Sequence, residues 1–145
     1  LKREQRLQPL AALTTQTERN RATRLGEAER RLADGEERLQ ELVRYRLEYE
    51  KAFHMRATAG AEMRGLREHQ VFIARLGEAV RAQQAVLEQL RAECVAARER
   101  WGEAATRSQA VGKVMERARS EDLVLEERRS QFEQDEHAMH SRVPR

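Results

Sequence analysis

A chain of 145 residues with 39% hydrophobic and 4% aromatic content carries too little apolar mass for a compact core, while 37% charged residues describe a molecule that is mostly surface. Its 28 basic residues (25 Arg, three Lys, an arginine excess that reads as coding bias) and 25 acidic ones nearly cancel to +3 and are interleaved, as in Glu27–Arg31 and Glu103–Arg107. No basic stripe with stacking aromatics appears, which argues against nucleic acid as partner; Cys94 stands alone, which suits a reducing cytoplasm, and no membrane-spanning stretch or signal-peptide core is present.

Leu1 is not an initiator methionine, so a few native residues are expected before it. Pro9 and Pro144 are the two prolines, and nothing between them must break a helix. The first predicted helix runs from about residue 9 to 56. Its apolar seam is clearest at Leu25, Ala28, Leu32, Gly35, Leu39, Leu42, Arg46, Tyr49 and Phe53, with Leu10, Leu13, Thr14 and Thr17 carrying the pattern weakly upstream. Residues 57–65, with Thr58, Gly60 and Gly65, read as the turn.

The second helix is predicted from about 66 to 140, and it holds the strongest signal in the chain. Ile73, Leu76, Val80, Gln83, Leu87, Leu90, Cys94, Ala97, Trp101, Ala104, Ser108, Val111, Met115 and Ala118 follow one another at alternating steps of three and four. All but Gln83 and Ser108 are apolar, and a mean spacing of 3.5 places them in one narrow seam that a second helix must cover. The fold class is therefore all-α: a long two-helix antiparallel coiled-coil hairpin, a single coiled-coil domain over residues 1–145 with a C-terminal helical overhang. With its tip near residue 61, facing positions have numbers that sum to about 122. The shared part is then roughly 70 Å long at ~1.5 Å per residue, and residues after about 115 overhang by roughly 35 Å.

Two features of this hairpin have functional weight. Continued into the overhang, the seam becomes Asp122, Leu125, Arg129, Phe132, Glu136 and Met139, half charged and poor for a closed two-helix seam. Such a helix is either held by another protein or is an ordinary frayed terminus. Four of the six aromatics, Tyr45, Tyr49, Phe53 and Phe72, cluster near the tip, where they either anchor a partner or widen the core.

Catalytic motifs are lacking. Gly112–Lys113 has Arg107 where a phosphate-binding loop needs glycine and Val114 after the lysine, and no G-x-S-x-G or H-E-x-x-H occurs. His137 and His140, beside Asp135 and Glu136, have a spacing that could take a divalent metal but read better as a solvated tail; His54 and His69 have no ligand set around them. Cys94 sits on the seam, where a thiol packs as a small hydrophobe. No enzyme activity, metal or cofactor is expected.

The run Glu37-Arg38-Leu39-Gln40-Glu41-Leu42-Val43-Arg44-Tyr45-Arg46-Leu47-Glu48-Tyr49 resembles the L-x-x-L-x-x-Y-x-x-x-Y signature of the FliJ family of soluble flagellar type III export proteins. Phe72-Ile73-x-x-Leu76-x-x-Ala79-Val80-x-x-Gln83 is similar to that family's second signature, and Trp101, the surroundings of Arg117 and Asp135-Glu136 fall where the family has similar residues. The resemblance covers nearly the whole chain. It implies a coiled coil like the central stalk of rotary ATPases, in the cytoplasm and peripheral to the membrane-bound export apparatus. The implied partners are the hexameric export ATPase, whose assembly and activity such proteins promote, the cytoplasmic domain of the export gate protein, and empty export chaperones. No direct membrane insertion is implied, and the free protein is expected to be a monomer.

Carried over by position, the gate-binding residues are Leu42, Tyr45, Tyr49, Phe72, Leu76 and Ala79, with Arg38 and Gln83 as neighbours whose type differs from some relatives. For the ATPase end the choice of Arg117, Arg119, Arg128 and Arg129 rests on charge and expected exposure. An asymmetric rod touching six subunits unequally would favour one nucleotide state at one interface at a time. The alternatives are the equivalent stalk of a virulence-type injectisome, and a generic coiled-coil scaffold with no ATPase partner. The tyrosine pair favours the flagellar system, and the polar overhang with an aromatic tip speaks against a plain spacer.

Overall fold

The computed structural model describes residues 2–142; Leu1, and the Pro144 expected to limit the second helix, lie outside them. Two helices account for the fold, α1 over Arg3–Thr58 and α2 over Met63–Ser141, and they pack against each other as an all-α hairpin with no strand among the described residues. The packing divides into two compact units: Thr23–Glu99, which contains the turn, and the described residues on either side of it, 2–22 with 100–142.

In the turn unit, every expected seam position from Leu25 to Phe53 on α1 and from Ile73 to Ala97 on α2 is buried or half-buried, with Ala28, Leu76, Val80, Leu87 and Cys94 at its centre. Charged Arg46 fits this seam because Gly77 faces it, leaving room for the guanidinium to pass over the backbone and meet Glu50 at 3.5 Å. Gln83 fits for a related reason: its Nε2 donates to the carbonyl of Gly35 at 3.0 Å, reached because residue 35 has no side chain. The pairs Gly35 with Leu87 and Phe53 with His69 obey the expected sum of positions.

The turn is tighter than its sequence suggests, occupying 59–62 rather than 57–65. Helix α1 runs two residues past Arg56 because its end is stapled: Ala61 N–H donates to the Arg56 carbonyl at 3.0 Å and Gly60 N–H to that of Ala57 at 3.3 Å, with Gly60 at φ 79°. This is a Schellman cap, and its left-handed residue is the one position here that needs glycine. Gly65, taken as part of the turn, lies instead inside α2 beneath the Arg56 guanidinium. Gly60→Ala should lower stability by about 1 kcal/mol, read as an earlier urea midpoint with an unchanged slope.

The second unit corrects the expected helix start. Helix α1 begins at Arg3 and carries Pro9 inside it, although the missing N–H leaves one carbonyl of the first turns without its usual donor. Contacts to α2 hold this segment in place. Arg3 Nη1 meets Glu121 Oε2 at 2.8 Å, Arg119 Nε meets Glu4 Oε1 at 3.0 Å, and Lys2 Nζ meets Glu126 Oε2 at 3.4 Å. Asp122 Oδ2 accepts the backbone N–H of Glu4 at 3.3 Å, so this seam carboxylate serves as a cap for the first turn of α1.

Upstream, the seam keeps its 3–4 step through Arg21, Glu18, Thr14, Ala11, Leu7 and Glu4. Leu10 and Leu13, expected on it, are exposed. The partner positions Trp101, Ala104, Ser108, Val111, Met115, Ala118 and Asp122 are buried or half-buried. The buried side chains of this unit, Thr14, Ala104 and Ala118, are small, whereas those of the other include Leu76, Val80 and Leu87. Since α1 starts early, the unpaired part of α2 begins after Glu126 rather than near residue 115.

Candidate functional site: an aromatic flank beside the turn

Within the turn unit, Tyr45 lies one position before the seam residue Arg46, and Phe72 one before Ile73. In an antiparallel pair these flanking positions face each other on the same side, which brings the two rings together. The Tyr45 and Phe72 centroids are 6.5 Å apart, edge to face. Tyr49, on the seam, bridges them, at 5.0 Å from Tyr45 and 4.6 Å from Phe72.

His69 closes the cluster from the turn side, 5.4 Å from Tyr49 and 5.6 Å from Phe53. Its Nε2 lies 2.7 Å from the Tyr49 carbonyl and its Nδ1 3.3 Å from Arg56 Nη1. A carbonyl only accepts and a guanidinium only donates, so the two contacts fit the imidazole tautomer with its proton on Nε2. A hydrogen bond with Tyr45 raises the pKa of Tyr49, and repulsion from an ionised Tyr45 and partial burial act in the same direction. Tyr49 is therefore a neutral phenol at physiological pH.

The six positions singled out for gate binding separate into two kinds. Tyr45 and Phe72 stand 45% and 37% exposed, and Leu42, Tyr49 and Ala79 are half-buried, so these five reach the surface of one flank. Leu76 is buried and supports that flank from within. Of the two neighbours, Arg38 is exposed, whereas Gln83 is occupied by its bond to Gly35. Sequence reasoning missed Val86, which is exposed and continues Phe72 and Ala79 at steps of seven; extending the same stripe by one heptad would have found it.

In the other unit, Arg117, Arg119, Arg128 and Arg129 are all exposed. Arg119 is tied to Glu4, while no ion pair holds Arg117, Arg128 or Arg129 among the described residues. His137 and His140 are exposed, and no group of three or more His, Cys, Asp or Glu poised for a metal occurs among the described residues. No helix there is long and apolar enough to cross a membrane.

The described residues thus form a helical hairpin with an aromatic flank beside its turn and an α2 end that α1 leaves bare. The chain belongs to the flagellar FliJ protein family, whose profile matches residues 3–142. No curated protein and no solved structure matches it. Membership makes it a component of flagellar type III export, in a family that is not catalytic.

Proposed function

We propose that this protein is a stalk-like subunit that binds the hexameric export ATPase, promotes its assembly and activity, and contacts the cytoplasmic domain of the export gate. It works in the cytoplasm, peripheral to the membrane-bound apparatus, and it also meets export chaperones. The observation that carries the gate contact is the aromatic pair Tyr45 and Phe72, large rings that stay partly in water beside a seam that is already closed. Rigid aromatic side chains of this kind supply much of the energy of protein interfaces. The surface used is Leu42, Tyr45, Tyr49, Phe72 and Ala79, with Leu76 behind it. Arg117, Arg128 and Arg129, which no ion pair holds among the described residues, support contact with the ATPase at the other unit.

Two measurements test this. Adding the protein to the purified export ATPase of the same organism should raise hydrolysis together with hexamer formation. In parallel, Tyr45→Ala should weaken binding to the purified gate domain about 10- to 30-fold, the loss of an interface anchor of about 1.4–2 kcal/mol, and leave ATPase stimulation intact. No stimulation by the intact protein rejects the stalk role, and unchanged gate binding by Tyr45→Ala rejects the flank as the contact.

A further inference from the structure

The second unit carries an exposed apolar flank of its own. Arg3 and Glu121 mark one side of the α1–α2 pair, where they meet at 2.8 Å. One heptad nearer the turn, the equivalent positions hold Leu10 and Val114, 47% and 38% exposed. Leu13, one turn after Leu10 and 64% exposed, and Ala110, one turn before Val114, widen the surface outward on each helix. The buried side chains beneath are small, so two leucines stand in water beside a seam that lacks bulk. Leu10, Leu13 and Thr17 on α1, and Ala110 and Val114 on α2, keep helical steps of three and four, which suits a third helix laid between them.

The charges around it select the occupant. In a chain with 28 basic and 25 acidic residues, residues 5–17 and 104–115 hold Arg6, Arg107 and Lys113 and no carboxylate. At the margins, Glu4 is bound to Arg119, Glu121 to Arg3, and Glu18 lies half-buried on the seam. Glu103, one turn before Arg107, is the nearest exposed carboxylate on this side, and three cations stand against it. No ion pair holds Arg6, Arg107 or Lys113 among the described residues. Protein interfaces keep charge out of their centre and carry it at the rim, which is the arrangement here. A second copy set against this flank would bring like charges together, with no carboxylate in either stretch to answer them. A lipid surface fits poorly too, because the flank offers aliphatic side chains and no tryptophan or phenylalanine to insert.

We infer that this flank is a docking face for an acidic amphipathic helix of another protein. The partner helix lays an apolar row across Leu10, Leu13, Ala110 and Val114. Its carboxylates reach Arg6, Arg107 and Lys113. The residues proposed for the ATPase begin beyond it, at Arg117, and none of them belongs to the flank. The inference therefore goes beyond the stalk role and does not depend on it.

The test uses the full chain and two synthetic helical peptides, an amphipathic one with leucine on one face and glutamate on its flanks, and its counterpart with every glutamate replaced by lysine. Fluorescence anisotropy should give about 10-fold tighter binding of the acidic peptide, weakening as salt is raised. Leu13→Asp should abolish it; that side chain is mostly exposed, so circular dichroism and melting should not change. Stimulation of the export ATPase should also survive Leu13→Asp. Sedimentation of the protein alone should give a monomer. Absence of binding, equal binding of both peptides, retention by Leu13→Asp, or a dimer that Leu13→Asp dissolves would each overturn the proposal. So would binding to phosphatidylglycerol vesicles that Leu13→Asp removes, which assigns the flank to lipid, or loss of ATPase stimulation, which assigns it to the ATPase.

Discussion

Replacing Leu87 by alanine is expected to destabilise the turn unit by about 3 kcal/mol, seen as a lower urea midpoint of the helical signal. Leu87 is 1% exposed, in the middle of the leucine-rich part of the seam. The size of the effect follows from what faces it. Gly35 has no side chain to lean into the gap, and the α1 backbone around it is regular helix, so most of the cavity persists. The same geometry predicts coupling. A Cβ on residue 35 would lie 3.1 Å from Leu87 Cδ2 and 2.9 Å from Leu90 Cδ1. Gly35→Ala in the native background therefore offsets its helix-propensity gain against crowding. In the Leu87→Ala background the first of those contacts is gone while the one with Leu90 remains, so Gly35→Ala should cost about 1 kcal/mol less there than in the native background. A loss under about 1 kcal/mol for Leu87→Ala would mean that the helices close up around the smaller side chain.

The second large effect concerns the export ATPase. Removal of residues 127–142 is expected to abolish stimulation of hydrolysis and to leave thermal unfolding unchanged. No described residue beyond Glu126 is buried, so the cut removes surface without opening the seam. A cut at Met115 would be a poorer experiment. It would also remove Ala118, which is fully buried, Arg119 and Asp122, and so release the first turns of α1. Full stimulation by the protein shortened at Glu126 would reject the bare end of α2 as the ATPase contact and return attention to Arg117.

The hairpin was legible because a 3–4 seam is a collective signal: fourteen positions on α2 agree, and each is at least half-buried. The start of α1 was not legible. Pro9 reads as a boundary by its backbone chemistry, and Glu4, Glu18 and Arg21 read as surface by their charge. The early turns are worth forming because Arg3 and Glu4 meet Glu121, Arg119 and Asp122, more than a hundred residues away. The Schellman cap was half legible: Gly60 marked a turn, but the two bonds that carry α1 on to Thr58 depend on backbone angles. In the aromatic flank, spacing placed Tyr45 and Phe72 beside the seam and Leu76 on it, whereas the occupation of Gln83 depends on the residue that α1 sets opposite it, Gly35.

The bond from Gln83 to Gly35 also bears on how the chain reaches its native alignment. Heptad seams are periodic, so two such helices have near-equivalent alignments offset by seven residues, or about 10 Å. Slipped by one heptad, Gln83 would face Ala28 or Leu42, where a side chain stands between its amide and the opposite carbonyl. The amide would then be left unsatisfied at a cost of about 1–3 kcal/mol. Zippering that begins at the Gly60 turn joins Tyr49 to His69 first and comes to Gly35 later, so misaligned chains are checked only after several turns have closed. Gly35 thus favours the native alignment over its slipped neighbours, and a side chain there should lower native stability by parting Gln83 from the carbonyl that satisfies it.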